Sequence, residues 1–99
     1  MKIFKNESLT EEVDLEKLDL GTLEAGVEKE FLFYLLNDSK AFLSGLDFSV
    51  DNKEIEIIKS PNTMLANGND ILKLKCLPRV DLREPIKANI KITGKEIFG

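Results

Sequence analysis

The 99-residue chain contains no histidine, no tryptophan, one cysteine, three prolines and one tyrosine. Without histidine, the Ser-His-Asp and Cys-His nucleophilic systems cannot be assembled, and the usual zinc sites are excluded with them. The lone Cys76 excludes an internal disulfide and any cysteine-based metal cluster. Long hydrophobic runs are also missing. The longest, Phe31 to Leu36, spans six residues, far below the roughly 20 needed to cross a bilayer. The opening Met1-Lys2-Ile3-Phe4-Lys5-Asn6-Glu7 is broken by charge too early to hold a signal-peptide core. Asn6-Glu7-Ser8 and Asn37-Asp38-Ser39 match the glycosylation pattern, but with no secretion signal they are expected to stay unused. Starting at Met1 with no such signal, the chain reads as a free-standing small protein, in the cytoplasm or in a virion.

What is present is ordinary for one globular domain over residues 1–99: 42% apolar, 32% charged and a net charge of −4. An acidic balance argues against nucleic acid and against an anionic membrane surface as partners. The charge is uneven. Residues 1–50 carry eleven acids against five lysines, whereas residues 51–99 carry seven acids against nine lysines or arginines.

Hydrophobic periodicity is two almost throughout. In "ILKLKCL", Leu72, Leu74 and Cys76 share one face, and Lys73 and Lys75 the other. In "IKANIKI", Ile86, Ala88, Ile90 and Ile92 oppose Lys87, Asn89 and Lys91; "GLDFSV" and "EIEII" repeat the alternation. One buried and one wet face is the mark of antiparallel strands. Turn chemistry separates the runs: "NDSK", "VDNKE", "SPN", "ANGND" with its Asn67-Gly68 hairpin signal, and the proline-bounded "PRVDLREP". About seven strands are therefore predicted, near residues 2–5, 13–20, 28–36, 43–50, 54–59, 71–77 and 86–93. That is an all-β, antiparallel sandwich. Over "SLTEEVDLEKLDL" the pattern slips between Val13-Leu15 and Leu18-Leu20, as a bulge or one helical turn would make it; a strand is favoured. Cys76, alternating with Leu72 and Leu74, is expected to be a small buried apolar residue and not a reactive thiol.

Gly21 and Gly26 flank "TLEA" and mark the corner between two strands, since glycine takes backbone angles that other residues resist. Next comes "VEKEFLFYLLND", apolar on both faces, with Phe31, Phe33 and Leu35 alternating with Leu32, Tyr34 and Leu36. "LDLGTLEAG", "EFLFYLLND", the mid-chain Ser60-Pro61 and "ILKLKCLP" together resemble immunoglobulin-like domains of the major sperm protein and hydin-like type. Accessory domains on phage virion proteins share the same loose motifs. The resemblance covers residues 18 to about 93. It implies an immunoglobulin-like fold, a role in holding proteins together, and no catalytic residues or cofactors.

The chemistry-bearing residues point the same way. The carboxylate pairs Glu28-Glu30 and Glu54-Glu56 lie at strand spacing on wet faces. Glycosidase chemistry would need a cleft with aromatic platforms. Gly21 and Gly26 lack phosphate-loop spacing, and the oxygen-rich turns lack that of a calcium loop. No enzyme activity, cofactor, metal or small-molecule substrate is expected. A protein partner or self-association into a homo-oligomer is expected instead. Lys73, Lys75, Lys87 and Lys91 are expected to share one basic surface on adjoining late strands, with the acid-rich residues 11–30 on the opposite sheet. Tyr34 and Phe98 complete the candidate protein-interaction residues. The first functional expectation is a small virion accessory or capsid-decoration protein; the second is a cytoplasmic adaptor. The third, a carbohydrate-binding module, would have to use Tyr34, Phe42 and Phe98.

Overall fold

A computed structural model describes residues 1–21, 26–78 and 86–97. Their regular structure is eight antiparallel strands: β1 (Lys2–Phe4), β2 (Leu18–Asp19), β3 (Lys29–Leu36), β4 (Phe42–Val50), β5 (Ile55–Lys59), β6 (Asn69–Cys76), β7 (Lys87–Ala88) and β8 (Ile90–Ile97). One sheet has the order β1-β3-β6-β5; the others are the pairs β2-β7 and β4-β8. Only Asn89 separates β7 from β8, so the two pairs are linked through one continuous stretch of chain. Among the described residues no helix is long and apolar enough to cross a membrane.

The alternation read from the sequence sets which side chains meet inside. Phe33 and Leu35 of β3, Leu72, Leu74 and Cys76 of β6 and Ile55 of β5 join Leu43, Leu46 and Phe48 of β4 and Ile90 of β8 in a single buried cluster. The arrangement is sandwich-like. Leu35, Leu72, Leu74 and Cys76 are fully buried, and each buried leucine contributes about 1.5–3 kcal/mol by leaving water.

Residues 13–20 are not the predicted continuous strand. They form a 3-10 turn at Leu15–Lys17 followed by the two-residue β2. The Asp14 carboxylate accepts the Glu16 N–H at 2.9 Å and caps the turn. Leu15 and Leu18 are both buried in the core. An odd separation on a strand would send them to opposite faces, whereas one helical turn brings residues three apart to the same side. Upstream, 11–13 runs beside β1, with Val13 N–H to Ile3 O and Lys5 N–H to Glu11 O, both 2.8 Å.

The loops follow their chemistry with one exception. Gly21 and Gly26 both have φ of +75°, as a corner requires. Gly45, at φ +62°, sits where the β4–β8 register shifts between Ser44 and Asp47, and the resulting bulge keeps Leu43, Leu46 and Phe48 all buried. Asn67 has positive φ but Gly68 does not. The two do not form a tight hairpin turn; Gly68 is small because a Cβ there would lie 2.9 Å from the Leu65 carbonyl oxygen. The chain between β5 and β6 instead detours to β4, where Met64 and Leu43 exchange backbone hydrogen bonds of 2.8 and 2.9 Å.

Asn37 holds that detour. It is the buried polar residue of the described chain, 1% exposed. Its amide donates to Ala41 O (2.8 Å) and Leu65 O (3.0 Å), and its Oδ1 accepts from the Ser39 hydroxyl (2.7 Å). Replacing Asn37 by Ala takes the amide donor from the buried Ala41 carbonyl and unties that of Leu65, which keeps only the Gly68 N–H. We expect a loss of about 1–3 kcal/mol in urea unfolding, against about 2–5 kcal/mol for Leu74→Ala in the core.

Candidate protein-interaction site

The outer face of the four-stranded sheet is set by the β3–β6 register, in which Glu30 opposes Lys75, Leu32 opposes Lys73 and Tyr34 opposes Ile71. On the far side of β6, Glu56 also opposes Lys75. Lys75 thus lies between two glutamates, whereas Lys73 has Leu32 on one side and Lys59 on the other. Lys73 reaches diagonally to Glu30 at 3.1 Å, and Lys75 pairs with Glu28. These pairs are half-exposed, so each is worth only about 0.2–1 kcal/mol.

This geometry corrects the expected basic surface. Lys73 and Lys75 lie on β6 of the four-stranded sheet, whereas Lys87 and Lys91 lie on β7 and β8. The late strands are not neighbours in one hairpin, because β6 is inserted between β3 and β5. The acid-rich early strand and the lysine-bearing late strand share a sheet and neutralise each other, so the molecule is not divided into an acidic and a basic face along that line. Alternation reports a strand's two faces but not its neighbour, and neighbours decide where charge accumulates.

Exposed apolar residues stand on the same sheet: Leu32 of β3 is 42% exposed and Ile58 of β5 45%, while Leu65, 71% exposed, lies apart in the connection between β5 and β6. Tyr34, Leu36 and Ile71 are half-buried. The outer side of "FLFYLL" is covered in part by the chain itself. Phe4, opposite Tyr34, is buried although it does not belong to the core cluster. Tyr34 and Phe42 occupy strands of different sheets and do not form one aromatic platform. Phe98 lies outside the described residues.

A second surface was not signalled by composition. A groove of about 850 Å³ is lined by Ile3, Glu12, Val13, Asp14, Leu15 and Glu16 on one side and by Ile90, Lys91, Ile92 and Thr93 on the other. It runs along the edge of β8 that β4 does not occupy. No sequence pattern marks it, since a free edge depends on pairing.

The remaining candidate groups are quiet. Cys76 is fully buried in the core, as its alternation predicted; burial, assisted by Glu54, raises its thiol pKa above the ordinary value. The amino group of Met1 lies 3.2 Å from Asp38 and holds that carboxyl below its usual range. Among the described residues, no group of three or more Cys, Asp or Glu side chains is placed to hold a metal ion.

Two outcomes are expected. In the native protein Cys76 reacts with a thiol reagent only through opening of the core, so labelling at pH 8 accelerates with denaturant; rapid labelling of the folded protein contradicts its placement. The unfolded chain loses the thiol proton at lower pH than the folded one, so stability falls as pH rises through the unfolded thiol's range, and Cys76→Ala removes that component. Second, Glu30→Lys and Lys73→Glu should each cost no more than about 1 kcal/mol, with part of the loss recovered in the double variant.

Comparison of the chain with protein-family models, with curated proteins and with solved structures finds no match.

Proposed function

We propose that this chain is a non-enzymatic protein-binding or structural module with an immunoglobulin-like sandwich fold. The observation that carries the reading is the outer face of the four-stranded sheet. There Leu32 and Ile58 stand in solvent beside a ladder in which Lys73 pairs with Glu30 and Lys75 with Glu28, and Glu56 opposes Lys75. Exposed large apolar side chains rimmed by paired charge are the composition of a contact surface: apolar area supplies affinity, and the paired rim avoids burying a lone charge. Tyr34 lies within this face and is suited to anchor a contact, its ring apolar and its hydroxyl able to find a polar partner.

Within that class, the specific reading is a small virion accessory or decoration protein. Its support is the size of the domain, its antiparallel two-sided architecture and the motif resemblance of residues 18–93. The second reading, an adaptor that captures an extended segment of a partner, is favoured by the edge of β8 that no strand occupies among the described residues.

Sedimentation at low and high salt separates these readings. A discrete oligomer is expected if the sheet face is a self-assembly surface. It should persist at high salt, because Lys73 and Lys75 are already paired with Glu30 and Glu28 within one chain, and Leu32→Ser with Ile58→Ser should dissolve it. A protein that stays monomeric at both salts and shows no partner sensitive to Leu32→Ser and Ile58→Ser overturns the assignment of this face.

A further inference from the structure

We propose that the groove along β8 is a strand-addition site, whose occupant is an extended polypeptide segment from another protein, apolar at every second residue and net basic. The inference rests on the protein-binding reading above and gives it a second, separate location.

The vacancy follows from the path of the chain. β2 pairs antiparallel with β7 in the register Leu18 opposite Ala88 and Asp19 opposite Lys87. Continued backwards, that line would carry residues 17 to 13 alongside Asn89 to Thr93. The 3-10 turn at Leu15–Lys17 instead packs against β7 and β8, and the chain before it lies along β1, where Val13 bonds Ile3. Among the described residues β8 has β4 on one side and no strand on the other, where the groove is bordered by Ile90, Lys91, Ile92 and Thr93. Other edges are covered or interrupted. β1 is flanked by 11–13, β4 by Met64 and Asn62, and β5 is only five residues long with a register shift between Ile57 and Lys59. β8 is eight residues long, and the bulge in its ladder lies on β4. An unpaired strand edge offers backbone donors and acceptors to any extended chain.

The walls specify the occupant. Ile3, Leu15 and Ile90 form the buried floor, and Val13 and Ile92 lie half-buried at its mouth. An added strand would turn alternate side chains onto these residues. The rim carries Glu12, Asp14 and Glu16 against Lys91, none of which takes part in an ion pair among the described residues; the Met1 amino group, also at the groove, is taken by Asp38. A segment with lysine or arginine between its apolar positions meets this excess of carboxylate.

The test uses the intact, isotope-labelled chain and a capped ten-residue peptide alternating Val or Ile with Lys or Thr. Saturable amide shifts are expected at 90–93 and 12–16, with slower hydrogen exchange along β8. The same peptide N-methylated on alternate backbone amides should bind at least tenfold more weakly, because the added strand depends on main-chain hydrogen bonds. Glu12→Lys with Glu16→Lys, both exposed positions, should weaken the basic peptide at least tenfold and favour an analogue with Glu in place of Lys. Equal binding of the N-methylated peptide, or no response at 90–93, overturns the proposal. So does a free protein that dimerises with its β8 amides already protected, since the occupant is then a second copy. Shifts confined to the Leu32 and Ile58 face remove the groove but leave the protein-binding reading standing. No response on either surface, with a monomer in sedimentation, removes both.

Discussion

The register between β3 and β6 is the constraint on which the other features depend. Eight residue pairs run from Lys29 opposite Cys76 to Leu36 opposite Asn69. A slip of one residue would turn Leu72, Leu74 and Cys76 outwards and bring lysines into the core, a cost far beyond the 5–15 kcal/mol that stabilises a domain of this size. The same register puts Glu30 and Lys75 opposite each other and brings Glu28 within reach of Lys75. Core packing and surface neutrality are therefore two results of one alignment. Like charges across strands would oppose this pairing, whereas opposite charges reinforce what the leucines already require.

Asn37 extends that alignment to the end of the sheet. It follows the last residue of β3, and its backbone N–H donates to Gly68 O at 2.9 Å just before β6 begins. Its side chain then ties the turn into β4 to the carbonyl of Leu65. Burying an amide is tolerable here because both its nitrogen and its oxygen are bonded. With the turn held, Met64 lies against Leu43 and covers the outer edge of β4, while Leu65 is left projecting into solvent. The most exposed apolar side chain of the described residues thus lies beside one of the most buried polar ones.

Strand positions were legible in the sequence because period-two alternation is a local signal. The runs at 28–36, 43–50, 54–59 and 71–77 correspond to β3, β4, β5 and β6 within two residues at each end. The run at 86–93 corresponds to β7 and β8, which continues to Ile97. The burial of Cys76 was legible for the same reason. Two features were not. The slip between Val13-Leu15 and Leu18-Leu20 fits either a bulge or a turn, and only the shared burial of Leu15 and Leu18 settles it as a helical turn. Strand neighbours are a long-range property, so the lysines of 71–77 and 86–92 looked alike although their strands belong to different sheets. The apolar outer positions Leu32, Tyr34 and Leu36 were visible in "FLFYLL"; how far Phe4 covers them was not.

The chain treats its strand edges unequally, and that inequality has a physical reason. Covering an edge takes a segment, and a short domain has few to spare. Residues 11–13 serve β1 and residues 62–64 serve β4. The 3-10 turn that carries the chain between β1 and β2 consumes the residues that would have run beside β8. Lys91 and Lys95 then give this edge a charged outer side, the usual defence of an uncovered strand against pairing with its own kind. Two lysines repel the matching lysines of a second copy of this edge, but across the groove three carboxylates outnumber Lys91, so a basic segment still meets net negative charge. Opposite them stand Glu12, Asp14 and Glu16, which a net acidic segment would meet with like charge. An edge guarded in this way discriminates among strands by their charge and does not reject every strand. It is this selectivity, and not exposure alone, that separates a docking edge from an aggregation hazard.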